Sequence, residues 1–153
     1  MKDNSSILDN IFDLAIGREQ SANRFYTDLA RMVKNTSVKE TFTSLAKEEL
    51  SHEALLKTLK ADPGLQSKLK PSKDYRVAES ESQPAISEDM PLSNAVALAM
   101  KKEQQAAELY RSLAKSSTDA DTRTLFENLT NMELGHKNKL EALFVDIGYP
   151  EVF

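Results

Sequence analysis

The 153-residue sequence contains no cysteine. That one absence excludes disulfides, thiolate nucleophiles, zinc fingers and sulfur-ligated clusters together. No run approaches eighteen consecutive apolar residues, so no membrane span is expected. There is no basic block either. The formal charge is −4 and the pI is near 5.3, which argues against nucleic acid as a partner. The opening MKDNSSILDNIF lacks the basic-then-apolar pattern of a secretory signal, and a cytoplasmic location is expected. Strand signals are missing, and the 4 glycines and 5 prolines fall in few places. A chain of this length suits a single all-α domain with a sizeable core.

The sparse punctuation divides the chain into four helical stretches. Leu8, Ile11, Ala15, Ala22, Tyr26, Leu29 and Val33 recur at helical spacing, and the stretch KNTSVKE then breaks the pattern. Ser37 with Glu40 matches a capping box that opens a second helix, ending near Leu59 before the turn ADPG. Residues 61–91 hold Pro63, Pro71, Pro84 and Pro91 among polar residues and read as a crossover, with room for a short helical piece. A third helix follows Pro91, and SSTDAD supplies caps for a fourth that runs to about Val145. The expected organisation is a hairpin over about 5–60, a crossover over about 61–91 and a second hairpin over about 92–146.

The two hairpins repeat one another. REQSANRFYTDLA resembles KEQQAAELYRSLA, and FTSLAKEELSHEALLKTL resembles FENLTNMELGHKNKLEAL. Glu19 with Glu103 and His52 with His136 share one offset, 84 residues (103 − 19 and 136 − 52). Tyr26 and Tyr110, Phe42 and Phe126, and Glu49 and Glu133 obey it too.

One stripe of the second helix reads Phe42, Leu45, Glu49, His52, Leu56, Leu59. A carboxylate and an imidazole thus occupy the middle of a core-facing surface. Glu19 and His52 lie at equal distance from the first turn, roughly 25 Å along neighbouring helices, and Glu103 and His136 repeat the arrangement. Packing the hairpins core to core converges four carboxylates and two imidazoles in mid-bundle. The crossover is long enough to permit either relative direction of the hairpins. Four buried carboxylates without cations would repel strongly, and two divalent ions would neutralise them. One Glu from each of two helices plus Glu-x-x-His from the other two is a two-metal carboxylate pattern. Oxygen and imidazole donors suit iron or manganese; zinc would fit but stay redox-inert. Glu48, Glu53 and Glu108 fall off the stripe and read as solvated. Tyr26 and Tyr110 read first as core, with a hydrogen bond from a phenol to a ligating carboxylate on another helix as the alternative.

At Glu19, Glu49-x-x-His52, Glu103 and Glu133-x-x-His136 the sequence resembles the rubrerythrin-like branch of the ferritin-like superfamily. The resemblance spans residues 8–145 and implies a ferritin-like four-helix bundle of two repeated hairpins joined by a long crossover, holding two iron ions. It implies that Glu49 and Glu133 bridge the metals, with Glu19 and His52 on one ion and Glu103 and His136 on the other. It further implies a homodimer that oxidises iron(II) while reducing hydrogen peroxide or dioxygen, a peroxidase or ferroxidase activity serving oxidative-stress defence. Two departures matter. Classical rubrerythrins carry a further glutamate three residues after the third-helix one, where this chain has Ala106. They also carry a rubredoxin-like four-cysteine domain, so electrons here would need a separate donor such as a rubredoxin. Iron storage, or an interaction module with purely structural metals, remain the other functions this pattern allows.

Overall fold

Helical periodicity in the sequence becomes two long helical hairpins in the computed structural model, which describes residues 4–69 and 90–147. In chain order the helices are α1 (Asn4–Met32), α2 (Thr36–Lys60), the short α3 (Pro63–Gln66), α4 (Leu92–Lys115) and α5 (Ala120–Ile147). No strand occurs among the described residues; a single antiparallel bridge joins Leu69 and Ser117. The part of the crossover at 70–89, with Pro71 and Pro84, lies outside the described residues.

Helix ends follow local chemistry. The cap of α2 is Asn35, not Ser37 as the capping-box reading expects. Asn35 takes an extended conformation and its Oδ1 accepts from the Val38 amide at 3.1 Å. Ser37 therefore lies inside the first turn, where its carbonyl accepts from Thr41 Oγ1. Asn is at least as good a cap as Ser, and starting at Asn35 adds two residues to the helix. Asp119 precedes α5, and hydrogen bonds from Thr122 hold its carboxyl below the usual range. Asp62 caps α3 by accepting from the Gly64 amide, with Pro63 in the first turn.

α1 packs along α2, α4 packs along α5, and α1 meets α4 between the hairpins. The relative direction, open in the sequence, is fixed by the chain just after α3. Lys68 carbonyl accepts from Thr118 N at 2.7 Å and from Thr118 Oγ1 at 3.1 Å. This ties the open end of the first hairpin to the turn of the second, so the hairpins point in opposite directions.

The core forms two apolar layers. One gathers Leu8, Ile11, Phe12, Leu56, Leu113, Phe126 and their neighbours; the other gathers Phe25, Leu29, Phe42, Leu45, Val96 and Leu140. Aromatic pairs anchor both: Phe12 and Phe126 have centroids 6.4 Å apart, and Tyr26 stacks on Phe42 at 6.2 Å. Each fully buried large side chain contributes about 1.5–3 kcal/mol. That stabilisation offsets the cost of the polar cluster held between the layers.

Candidate metal centre

Between the layers lie Glu19, Glu49, His52, Glu103, Glu133 and His136, each 3% exposed or less. All six residues picked from the repeat are thus brought together. α1 supplies Glu19, α2 supplies Glu49 and His52, α4 supplies Glu103, and α5 supplies Glu133 and His136. The i, i+3 spacing puts each Glu-x-x-His pair on one inward face.

The cluster resolves into two overlapping groups. Glu19, Glu49, His52 and Glu133 present donor atoms within 4.8 Å of one another, and so do Glu49, Glu103, Glu133 and His136. Glu49 and Glu133 belong to both. His52 Nδ1 approaches Glu133 Oε1 at 2.7 Å, and His136 Nδ1 approaches Glu49 Oε1 at 2.8 Å. Nevertheless these four atoms, with Glu19 Oε2 and Glu103 Oε2, are buried without a hydrogen-bond partner. Buried polar atoms are almost always satisfied. Six that are not, one from each residue and all aimed at a common region, fit a pair of cations.

Proton distribution agrees with a site built for positive charge. Burial, then hydrogen bonding with Glu19, then the charges of Glu103 and Glu133 push Glu49 well above the usual carboxylate range. Burial and Glu103 do the same to Glu133. Burial also pushes Glu19 up, but the neighbouring Glu49 and His52 and the Tyr110 hydroxyl outweigh it and hold Glu19 below its ordinary value. Without cations the two shared carboxyls therefore hold their protons more tightly than ordinary carboxyls do.

The tyrosines take the alternative the sequence allowed. Tyr26 Oη on α1 donates to Glu103 Oε1 at 2.5 Å, and Tyr110 Oη on α4 donates to Glu19 Oε1. Each hairpin thus steadies the first glutamate of the other. Burial and the neighbouring carboxylates push both phenols well above their ordinary values, so they remain donors.

Two expectations about flanking glutamates need correction. Glu48 is not simply solvated: its side chain is 39% exposed, and its buried Oε2 lies 2.6 Å from His136 Nε2. Glu53 is half-buried, accepting from Gln20 at 3.2 Å and pairing with Lys57 at 2.7 Å. Glu108 is exposed as expected, accepting from Gln104. Arg18 and Lys102 were not singled out by sequence, although they match across the repeat beside Glu19 and Glu103. Both line a cavity of about 410 Å³ between α1 and α4. The small residues Gly17, Ala22 and Ala106 also border it, as do exposed Asp13 and four of the clustered carboxylates, so it connects the cluster with solvent.

With this geometry in hand, comparison with known proteins is decisive for the family. The rubrerythrin family model matches residues 10–144. The chain belongs to the rubrerythrin family. A hypothetical protein from Pyrococcus furiosus is 29% identical, with a TM-score of 0.72 over 92% of this chain and 89% of that one. A Thermotoga maritima structure described as a ferritin-like diiron-carboxylate protein is 23% identical, with a TM-score of 0.74 over 90% of this chain and 94% of that one. No curated protein matches. The ferritin-like fold follows, and family and side-chain cluster together indicate a two-metal site. Among the described residues no helix is long and apolar enough to cross a membrane.

Proposed function

We propose that this rubrerythrin-family chain is an oxidoreductase that oxidises iron(II) while reducing hydrogen peroxide or dioxygen. The observation that carries the reading is the set of six unpartnered buried donor atoms in two groups sharing Glu49 and Glu133. In this reading Glu19 and His52 hold one ion, Glu103 and His136 hold the other, and Glu49 and Glu133 are common to both. A pair of irons held by these residues would supply one electron each, enough for one peroxide and two protons to become two waters.

The chain's own residues do the rest. Glu49 and Glu133 release their protons as cations arrive, since ligands must be deprotonated. Tyr26 and Tyr110 orient Glu103 and Glu19 through their hydroxyl hydrogens. The two apolar layers keep water from the flanks, and the cavity past Gly17, Ala22 and Ala106 admits a molecule of peroxide size. A separate electron donor, such as a rubredoxin, would return the site to its reduced state. The resemblance underlying this reading also implies a homodimer acting in oxidative-stress defence.

Anaerobic loading with two iron(II) per chain, then one equivalent of peroxide, tests the reading. A ferric band in the near ultraviolet should appear, with one peroxide consumed per two irons. An unchanged spectrum in the loaded protein contradicts it.

A further inference from the structure

We propose that Glu48 is a positioning residue for His136, and that it makes the two metal positions unequal, the Glu103–His136 position filling first. The inference rests on the two-metal reading above.

The two imidazoles stack with centroids 5.9 Å apart and planes 10° apart, and both turn Nδ1 toward the cluster. A ring that gives Nδ1 to a cation carries its proton on Nε2, and that proton needs an acceptor. For His136 the acceptor is at hand. Glu48 Oε2, a buried oxygen that is itself otherwise unsatisfied, reaches across from α2 to within 2.6 Å of His136 Nε2. For His52 it is not: its Nε2 is buried without a hydrogen-bond partner. The repeat explains the difference. The position equivalent to Glu48 in the second hairpin is Met132 (132 − 48 = 84), whose thioether is at best a weak acceptor. A carboxylate behind a ligating imidazole fixes the ring and strengthens its donor nitrogen. Loss of such a partner typically weakens metal binding 10–100-fold. One position therefore has this support and the other lacks it, although their direct donors match.

Cobalt(II) titration of the metal-free full chain, followed by visible absorption, tests the proposal. The wild type should bind two ions in two separable steps. Glu19→Ala should keep the tighter step and lose the weaker, placing the tighter at Glu103 and His136. Glu48→Leu should weaken the tighter step by about 10–100-fold and merge the two. Glu48→Gln, which keeps an acceptor but loses the charge, should fall between. Met132→Glu, on a side chain that is 44% exposed, should strengthen the weaker step by supplying His52 with an acceptor. A purely structural role would not produce this graded, reciprocal pattern, and the Met132 variant keeps the test open if Glu48→Leu folds poorly. Two ions bound with both steps unchanged in Glu48→Leu and Met132→Glu would overturn the proposal, as would loss of the tighter step in Glu19→Ala. Absence of cobalt binding in every variant would instead overturn the two-metal reading beneath it.

Discussion

The first hairpin places Ile11, Phe12 and Glu48 where the second places Ala95, Val96 and Met132. By contrast, Glu19, Tyr26, Phe42, Glu49 and His52 recur in the second half as Glu103, Tyr110, Phe126, Glu133 and His136. Identity between the halves is thus complete at the six clustered residues and at Tyr26 and Phe42, and only partial in the apolar layers, where Leu29, Leu45 and Leu56 recur as Leu113, Leu129 and Leu140 but Ile11 and Phe12 do not recur. Apolar layers tolerate exchange of shape if total volume is held. A donor set aimed at two cations does not, because each missing atom leaves charge unbalanced. The comparison also shows that neither hairpin is a complete unit. Each tyrosine serves a glutamate of the other half, and each histidine approaches the shared carboxylate of the other half.

The strongest way to break this symmetry is to remove a shared donor. Glu49→Ala should lower metal content from two ions per chain toward none, whereas Glu19→Ala should leave one, both read by elemental analysis after loading. Equal losses in the two variants would contradict the shared role of Glu49. A smaller effect should come from the tyrosines. Tyr26→Phe and Tyr110→Phe each leave a buried carboxylate oxygen without its donor, and each should destabilise the metal-free protein by about 1–3 kcal/mol in denaturant unfolding. The two costs should agree closely, since the contacts are equivalent across the repeat. In the loaded protein each variant should weaken the ion held by the opposite hairpin.

The gentlest probe is pH. In the metal-free protein Glu49 and Glu133 bind protons more tightly folded than unfolded, so stability falls as pH rises above the ordinary carboxylate value of 4.5. His136 adds to the same trend above 6.5: burial lowers its affinity for a proton, but Glu103 and Glu48 outweigh burial and raise it. Glu19 has the opposite sign, but its contribution is already complete above 4.5. Thermal unfolding of the metal-free protein should therefore show a lower midpoint at pH 8 than at pH 5. The loaded protein should show the reverse slope, because protons compete with cations for the same donors. Parallel slopes would mean that the shared carboxyls do not carry protons in the metal-free cluster.

Much of this was legible in the chain itself. The four long helices follow from apolar spacing and scarce Gly and Pro, and the six clustered residues follow from the doubled Glu-x-x-His on core stripes. Three features were not legible, each for a physical reason. The relative direction of the hairpins depends on the contact of Lys68 with Thr118, which a crossover of about 30 residues does not constrain. The start of α2 depends on which of Asn35, Thr36 and Ser37 caps, and all three are competent. The contact of Glu48 with His136 is a lateral reach between helices of different hairpins, invisible to periodicity along one helix. Its lack of a counterpart at Met132 hid it from the repeat comparison as well.

Anomalous diffraction at the iron edge, from crystals of iron(II)-loaded protein, tests the central claim most directly. Two peaks should lie between the hairpins, one flanked by Glu19 and His52 and the other by Glu103 and His136, with Glu49 and Glu133 touching both. A single peak, or peaks confined to the protein surface, would contradict the account.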